Sequence, residues 1–248
     1  MIAGLPMYER PENAAAHDRF WTLIATALRD HGVDAPGSLT RDINPWTLWR
    51  RPDLVLAQTC GLPYRSELHD KVTLVATPIH DLPGPPGHYH SVIIAHADDP
   101  RGPSEFDQTT LAFNDGRSQS GWAAALDWAA QNGIAFKATK MTGAHRASAR
   151  AVANRQADLA AIDALSWEFL NRWDGFAQNL RVVAQTAPTP ALPYIAAQTA
   201  DAETSRAALH QAVSALAAED KHALGLSSVM YLPASAYLAI ATPPPPGE

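Results

Sequence analysis

The stretch Leu111–Trp128, LAFNDGRSQSGWAAALDW, constrains the chain more than any other. Leu111 to Phe113 is a short apolar run suited to a strand, a polar turn follows, and a helix begins at about Ser120. Strands feeding helices through tight turns are the building step of an α/β fold. The turn also carries chemistry. The first turn of a helix leaves backbone N–H groups without intrahelical partners, and the helix dipole adds partial positive charge there. Ser118, Gln119, Ser120 and Gly121 supply such N–H groups, and the two serines add hydroxyls. A small anion such as phosphate, phosphonate, sulfate or carboxylate fits there without a lysine. Serine is also a common helix cap, so this stretch alone leaves both readings open.

The alternation continues in both directions. Met1–Leu5 reads as a strand, and from Asn13 the residues Ala16, Phe20, Leu23, Ile24, Ala27 and Leu28 share one helical face that Gly32 ends. Leu39–Ile43 is a second expected strand and Pro45–Arg50 a short helix. Leu54–Ala57, Val72–Ala76, Val92–His96, Ile134–Lys137, Leu159–Ile162, Arg181–Ala184 and Leu192–Ala197 are further expected strands. Arg146–Gln156 and Thr204–Ala218 are expected helices, with another following Asp163 through Trp167 and Leu170. The pattern predicts an α/β protein with mostly parallel sheets flanked by helices.

Two Pro-rich breaks, near 80–90 and 185–193, divide the chain. Residues 1–85 and 190–248 are expected to form one lobe and 86–189 the other, with a disordered Pro-rich tail at 243–248. Two crossings between two lobes describe a hinged clamshell that closes on a ligand. Ligands of open α/β sheets sit beyond the C-terminal strand ends. Here those ends carry Tyr8, Gln58, Thr59, Cys60, the 114–120 turn and Asp163.

Composition removes several classes. The net charge is −6 and there is no basic run, which argues against nucleic acid as a partner. Cys60 is the sole cysteine, so no intramolecular disulfide and no Cys-based metal cage can form. No run approaches the roughly 20 apolar residues of a membrane span. His80, His88, His90 and His96 are spread along the chain with Pro and Gly between them rather than in the tight set a dedicated site needs, so no metal is expected. Gly116-Arg-Ser118-Gln-Ser120 lacks the last glycine of a nucleophile elbow, and Cys60 has no histidine in sequence reach. No catalytic residue and no cofactor is expected. Trp122, Trp128 and Trp167 sit at helical positions where core packing is the ordinary role.

Against this background TGAHRASARAVANRQADLAAIDALSWE (Thr142–Glu168) resembles the G-[SG]-H-x-A-S-x-x-A-V-x-x-G-x-A-D-x-A-A-I-D block of phosphonate-binding, PhnD-like proteins. These are substrate-binding proteins of phosphate, phosphite and phosphonate ABC transporters. FNDGRSQSGW is similar to their Ser-rich anion loop, PDLVLAQTCGLPY to a strand and loop of the first lobe, and TAPTPALPYIA to the return crossing. The likeness runs from about residue 1 to 235.

The resemblance implies a two-lobe, type II periplasmic-binding-protein fold that captures a small anion and performs no chemistry. It implies Ser118, Gln119, Ser120 and Gly121 as anion donors. His145 then contacts the anion or caps the next helix, and Asp163 faces the ligand. Asp163 also suits the N-cap position after its strand, and both readings stand at this point. Tyr8, Gln58 and Thr59 contact the ligand from the first lobe. The implied partners are a small anionic ligand and a transporter permease, and the chain is expected to be a monomer that does not insert in a membrane. Its expected location is periplasmic if a leader has been removed and cytoplasmic if Met1 is the native start. The alternatives are a cytoplasmic ligand sensor and an enzyme of the same fold acting on a small molecule, such as a thiamine or pyrimidine precursor.

Overall fold

A computed structural model describes residues 1–247 and divides them into two compact units. Unit 1 comprises Met1–His88 and Pro190–Ile240, and unit 2 comprises Tyr89–Thr189 together with the chain from Ala241 onward. The two-residue strands β4 (His88–Tyr89) and β10 (Thr189–Pro190) lie at the two boundaries.

Unit 1 contains β1 (Ile2–Gly4), α1 (Ala14–Asp30), α2 (Pro45–Trp49), β2 (Leu54–Gln58), α3 (Gly61–Pro63) and β3 (Val72–His80). After the chain returns it adds β11 (Tyr194–Ala197), α7 (Ala202–Ala215), α8 (Ala218–Leu224), β12 (Leu226–Met230) and α9 (Ala234–Leu238). The sheet order is β1-β2-β11-β3-β12. The apolar stripe of α1 drives its docking: Phe20, Ile24 and Leu28 recur at helical spacing and pack with Leu209 and Val213 of α7. Gly32 follows the end of α1 at φ +78°, a conformation that favours glycine. Leu48, Trp49, Tyr64, Leu68 and Tyr237 form a second apolar cluster with Ile195 of β11.

Unit 2 contains β5 (Ser91–His96), β6 (Thr110–Phe113), α4 (Ala124–Gln131), β7 (Ala138–Met141), α5 (His145–Ala153), β8 (Leu159–Asp163), α6 (Ala164–Trp173) and β9 (Leu180–Gln185). The order is β7-β6-β8-β5-β9. Side chains alternate across a strand, so each central strand feeds two cores. Val92, Ile94, Ala160 and Ile162 pack with Ala149 and Val152 of α5 on one face. Ile93, Ala95, Leu159 and Ala161 pack with Trp128 of α4, and with Phe113 and Trp122, on the other. This double burial explains the continuous apolar runs in the sequence.

Four expectations are corrected here. The sheets are mixed rather than mostly parallel. β1 pairs parallel with β2, and β6 with both β7 and β8, whereas β11 runs antiparallel to β2 and β3, β12 to β3, and β5 to β8 and β9. A buried apolar run marks a strand but carries no direction. Leu39–Ile43 is not a strand, since its tie to the sheet is the Thr40 N–H donating to the Ala3 carbonyl rather than a ladder. Ile134–Lys137 gives way to β7, four residues later. Gly133 at φ +67° and the Ile134 N–H bonded to the Ala129 carbonyl close α4 in a Schellman motif, and the buried Ile134 side chain anchors it. Finally, the described part of the 243–248 tail belongs with unit 2, where Trp122 Nε1–H donates to the Pro244 carbonyl at 2.9 Å. Glu248, the last residue of that expected tail, lies outside the described residues. No helix among the described residues is long and apolar enough to cross a membrane.

Candidate functional site

In unit 2 the turn after β6 is built by its own short polar side chains. The Asp115 carboxylate accepts the Arg117 N–H at 2.7 Å, and the Asp115 carbonyl accepts the Ser118 N–H at 3.0 Å. Ser118 is extended (φ −87°, ψ 126°), and its Oγ accepts the Gly121 N–H at 3.0 Å, so it is the N-cap. Its carbonyl accepts N–H groups from both Trp122 (3.2 Å) and Ala123 (3.0 Å). The second of these spans five residues, so the chain enters α4 through a widened π turn, Gln119–Ala123.

Three further residues close on that turn. His145, the first residue of α5, places Nε2 2.8 Å from Ser120 Oγ. Ser91, the first residue of β5, donates its hydroxyl to the Ser120 carbonyl at 3.0 Å. Asn114 packs against Gly121 so closely that a Cβ there would lie 1.9 Å from Asn114 Oδ1. Among the described residues Asn114 Oδ1 is buried with no hydrogen-bond partner. Gly121→Ala is therefore expected to destabilise the protein by about 1–3 kcal/mol through overpacking, read by urea unfolding. An unchanged midpoint would mean that Asn114 swings clear at no cost.

Burial pushes the His145 imidazole down to about 4, offset in part by the Ala161 carbonyl, and pushes His80 down to about 4 as well. Burial lowers His17 too. An unfolded histidine titrates near 6.5, so below that pH the unfolded chain binds more protons than the native one. Stability is thus expected to fall as pH drops from about 6.5 to about 4 and to level off where the native imidazoles also protonate. Chemical unfolding at a series of pH values checks this, and His145→Gln should flatten part of the slope.

The structure brings Ser118, Gln119, Ser120, Gly121 and His145 together in one place. Asp163 is the N-cap of α6, its Oδ1 accepting the N–H groups of Leu165 (2.9 Å) and Ser166 (3.0 Å). It pairs in register with Ser91, the residue whose hydroxyl holds Ser120. Trp122 and Trp128 are buried core residues, and Trp167 packs partly buried against the α5 face.

Tyr8, Gln58 and Thr59 belong to unit 1. Gln58 Nε2 donates to the Leu192 carbonyl at 3.1 Å, and the Thr59 N–H donates to the Pro193 carbonyl at 3.0 Å. Tyr8 and Gln58 line one small cavity together with His80 and Tyr194, and the Tyr8 ring meets His80 edge-on at 5.4 Å. Among the described residues Thr59 Oγ1 is buried without a partner. Among the described residues no group of three or more His, Cys, Asp or Glu could hold a metal ion. Sequence reasoning missed Ser91 and Tyr194, weighed His80 only as a metal ligand, and placed Asn114 in the 114–120 turn without giving it a role of its own. Ser91 and Tyr194 are the first residues of their strands and carry no local signal that points to the turn or to the cavity.

Residues 52–232 match the family model described as the periplasmic substrate-binding protein of the phosphonate ABC transporter. The chain belongs to this family. The phosphonate-transport family is one of binding proteins, so the chain is a solute-binding protein and not an enzyme. No curated protein matches it in sequence. Solved structures share its type II binding-protein fold. PhnD1 from Prochlorococcus marinus, in complex with methylphosphonate, aligns with a TM-score of 0.72 at 16% identity over 95% of this chain and 94% of its own. XAC2383 from Xanthomonas citri, bound to chloride, aligns at 0.72 and 18% over 95% and 92%. The binding protein component of an ABC phosphonate transporter from Pseudomonas aeruginosa aligns at 0.68 and 18% over 93% and 80%.

Proposed function

We propose that this family member captures a small oxyanion, first of all a phosphonate, at the Ser118–Gly121 turn of unit 2. The observation that carries the reading is the meeting of two buried serine hydroxyls and His145 at one widened helix start. A hydroxyl has one donor and two acceptor positions. Ser118 Oγ spends an acceptor position on the Gly121 N–H, which leaves its O–H to donate. Such donors and the helix dipole favour an anion without a fixed positive charge.

In this reading Gln119 adds its backbone to the same seat and His145 holds Ser120 in place. Tyr8, Gln58, Thr59 and Asp163 are assigned to recognition of the rest of the ligand. The partner is the permease of an ABC transporter, the working form is a monomer, and the site of action is the periplasm. Ligand-driven closure of the units is the expected mechanism, and a ligand-dependent fall in the radius of gyration would report it.

The first test is thermal unfolding with phosphate, phosphite, alkyl- and aminoalkylphosphonates, sulfate and carboxylates. A ligand at a hundredfold excess over its Kd stabilises the native state by about 2.7 kcal/mol, an easily read shift. Stabilisation by phosphonates and not by carboxylates supports the reading, and no response to any oxyanion overturns it. Asp163→Asn separates two roles at that position. Selective weakening of aminoalkylphosphonates would mark ligand contact, and equal weakening of all anions would mark the cap alone.

A further inference from the structure

Ile240 is the last residue of unit 1, and from Ala241 the segment ATPPPPG belongs to unit 2. There it touches the Ser118 turn on both flanks. The Pro244 carbonyl accepts Trp122 Nε1–H at 2.9 Å, one residue past Gly121. The Pro246 ring lies against Gly116, two residues before Ser118, so closely that a Cβ at Gly116 would be 2.5 Å from Pro246 Cδ. Trp122 is itself fixed in the core of unit 2, where its ring packs on Phe113 of β6 with centroids 4.7 Å apart.

The composition of the segment explains how it attaches. Pro243 to Pro246 carry no backbone N–H, so they cannot complete a helix or a sheet ladder, and only their carbonyls can bond. Consecutive prolines are stiff and pre-set to the polyproline II form, so docking them costs little conformational entropy. An indole N–H aimed at a proline carbonyl, and a ring seated where a glycine leaves room, are contacts that suit such a segment. Pro243 and Pro246 are half-buried and the other residues of the segment are exposed. A single hydrogen bond and one seated ring add little to global stability, so their effect falls on the residues between them, Arg117 to Gly121.

We propose that residues 241–247 form a strap whose two contacts hold the Ser118–Gly121 turn in the shape that presents its donors, so that Pro244 and Pro246 are positioning residues for anion capture. This rests on the anion seat proposed above. That turn has need of support, because it enters α4 through a π turn, a rare form of helix, with the Ser118 carbonyl shared between the Trp122 and Ala123 N–H groups. Fixing Trp122 on one side and Gly116 on the other restrains its return to regular α-helical geometry. A seat ordered before the anion arrives loses less entropy on binding.

The test uses the full chain with Pro243→Gly, Pro244→Gly, Pro245→Gly and Pro246→Gly combined, which keeps every carbonyl and removes the stiffness and the rings. Without ligand, hydrogen exchange of the Gly121 and Ala123 N–H groups, both bonded to Ser118, should quicken about tenfold, while the urea midpoint stays that of the unaltered chain. The Kd for methylphosphonate should rise about tenfold. Gly116→Ala, which displaces Pro246 from the other side, should have the same two effects. Added to the four-glycine chain it should have no further effect on either, because the strap is already loose. A direct effect of the alanine on the turn would instead add to that of the glycines, and additivity overturns the proposal. So does turn exchange or a methylphosphonate Kd that the four glycines leave unchanged. Failure of the unaltered chain to bind methylphosphonate would overturn the anion seat and the strap's role in capture together, whereas normal binding with unaffected variants overturns the strap alone.

Discussion

Asp163→Ala is expected to lower the stability of the protein by about 2–4 kcal/mol, measured by urea unfolding. The carboxylate is 1% exposed and accepts two backbone N–H groups at the start of α6 through a single oxygen. Alanine leaves both N–H groups without an acceptor in a buried place, where the desolvation cost is not recovered from water. It also removes a negative charge from the positive end of the helix dipole. Asp163→Asn keeps an oxygen where Oδ1 sits, and asparagine caps about as well as aspartate, so the loss should be about 1 kcal/mol or less. If asparagine costs as much as alanine, the charge rather than the cap matters at this position.

Asp163 also shows where sequence reasoning reaches its limit. The strand before it and the helix after it are both visible in the apolar pattern, and a capping role for the intervening aspartate follows from local rules. Whether its side chain turns to the helix or away from it depends on what packs around β8, which no local rule contains. The legible parts of the fold share one property: their signal lies within a few residues. The alternating faces of β5, β6 and β8 and the stripe of α1 are of this kind. Likewise the Ser118 cap spans three residues, so the turn could be read from the sequence.

The features that escaped are those made by distant or exposed residues. β7 is an edge strand, exposed at all four positions, so it has no apolar pattern to detect. β12, also at a sheet edge, has only two fully buried positions. Strand direction escaped for a related reason. β11 returns from the second boundary and inserts antiparallel between β2 and β3, and the apolar run that marks it reads the same in either direction. Ser91 reaches Ser120 across 29 positions, and the His80 ring is set by Gly225 across 145.

The largest functional effect is expected from removing both serines of the turn. Ser118→Ala combined with Ser120→Ala should weaken methylphosphonate binding about a hundredfold or more, roughly 3 kcal/mol, read by calorimetric titration. Hydrogen bonds to a charged group carry about 1.5–3 kcal/mol each. The two Oγ atoms lie 3.4 Å apart, close enough to act on one oxyanion and to couple, so the double loss need not equal the sum of the single ones. Part of the Ser118 effect is structural, because its Oγ also caps the Gly121 N–H, a loss of about 1 kcal/mol in stability. Ser120→Thr separates the two contributions, since it keeps the hydroxyl that faces His145 and adds one methyl group. Binding retained in threonine and lost in the double alanine places the anion on these hydroxyls. Binding retained in the double alanine would leave the serines as a cap and move the anion seat elsewhere.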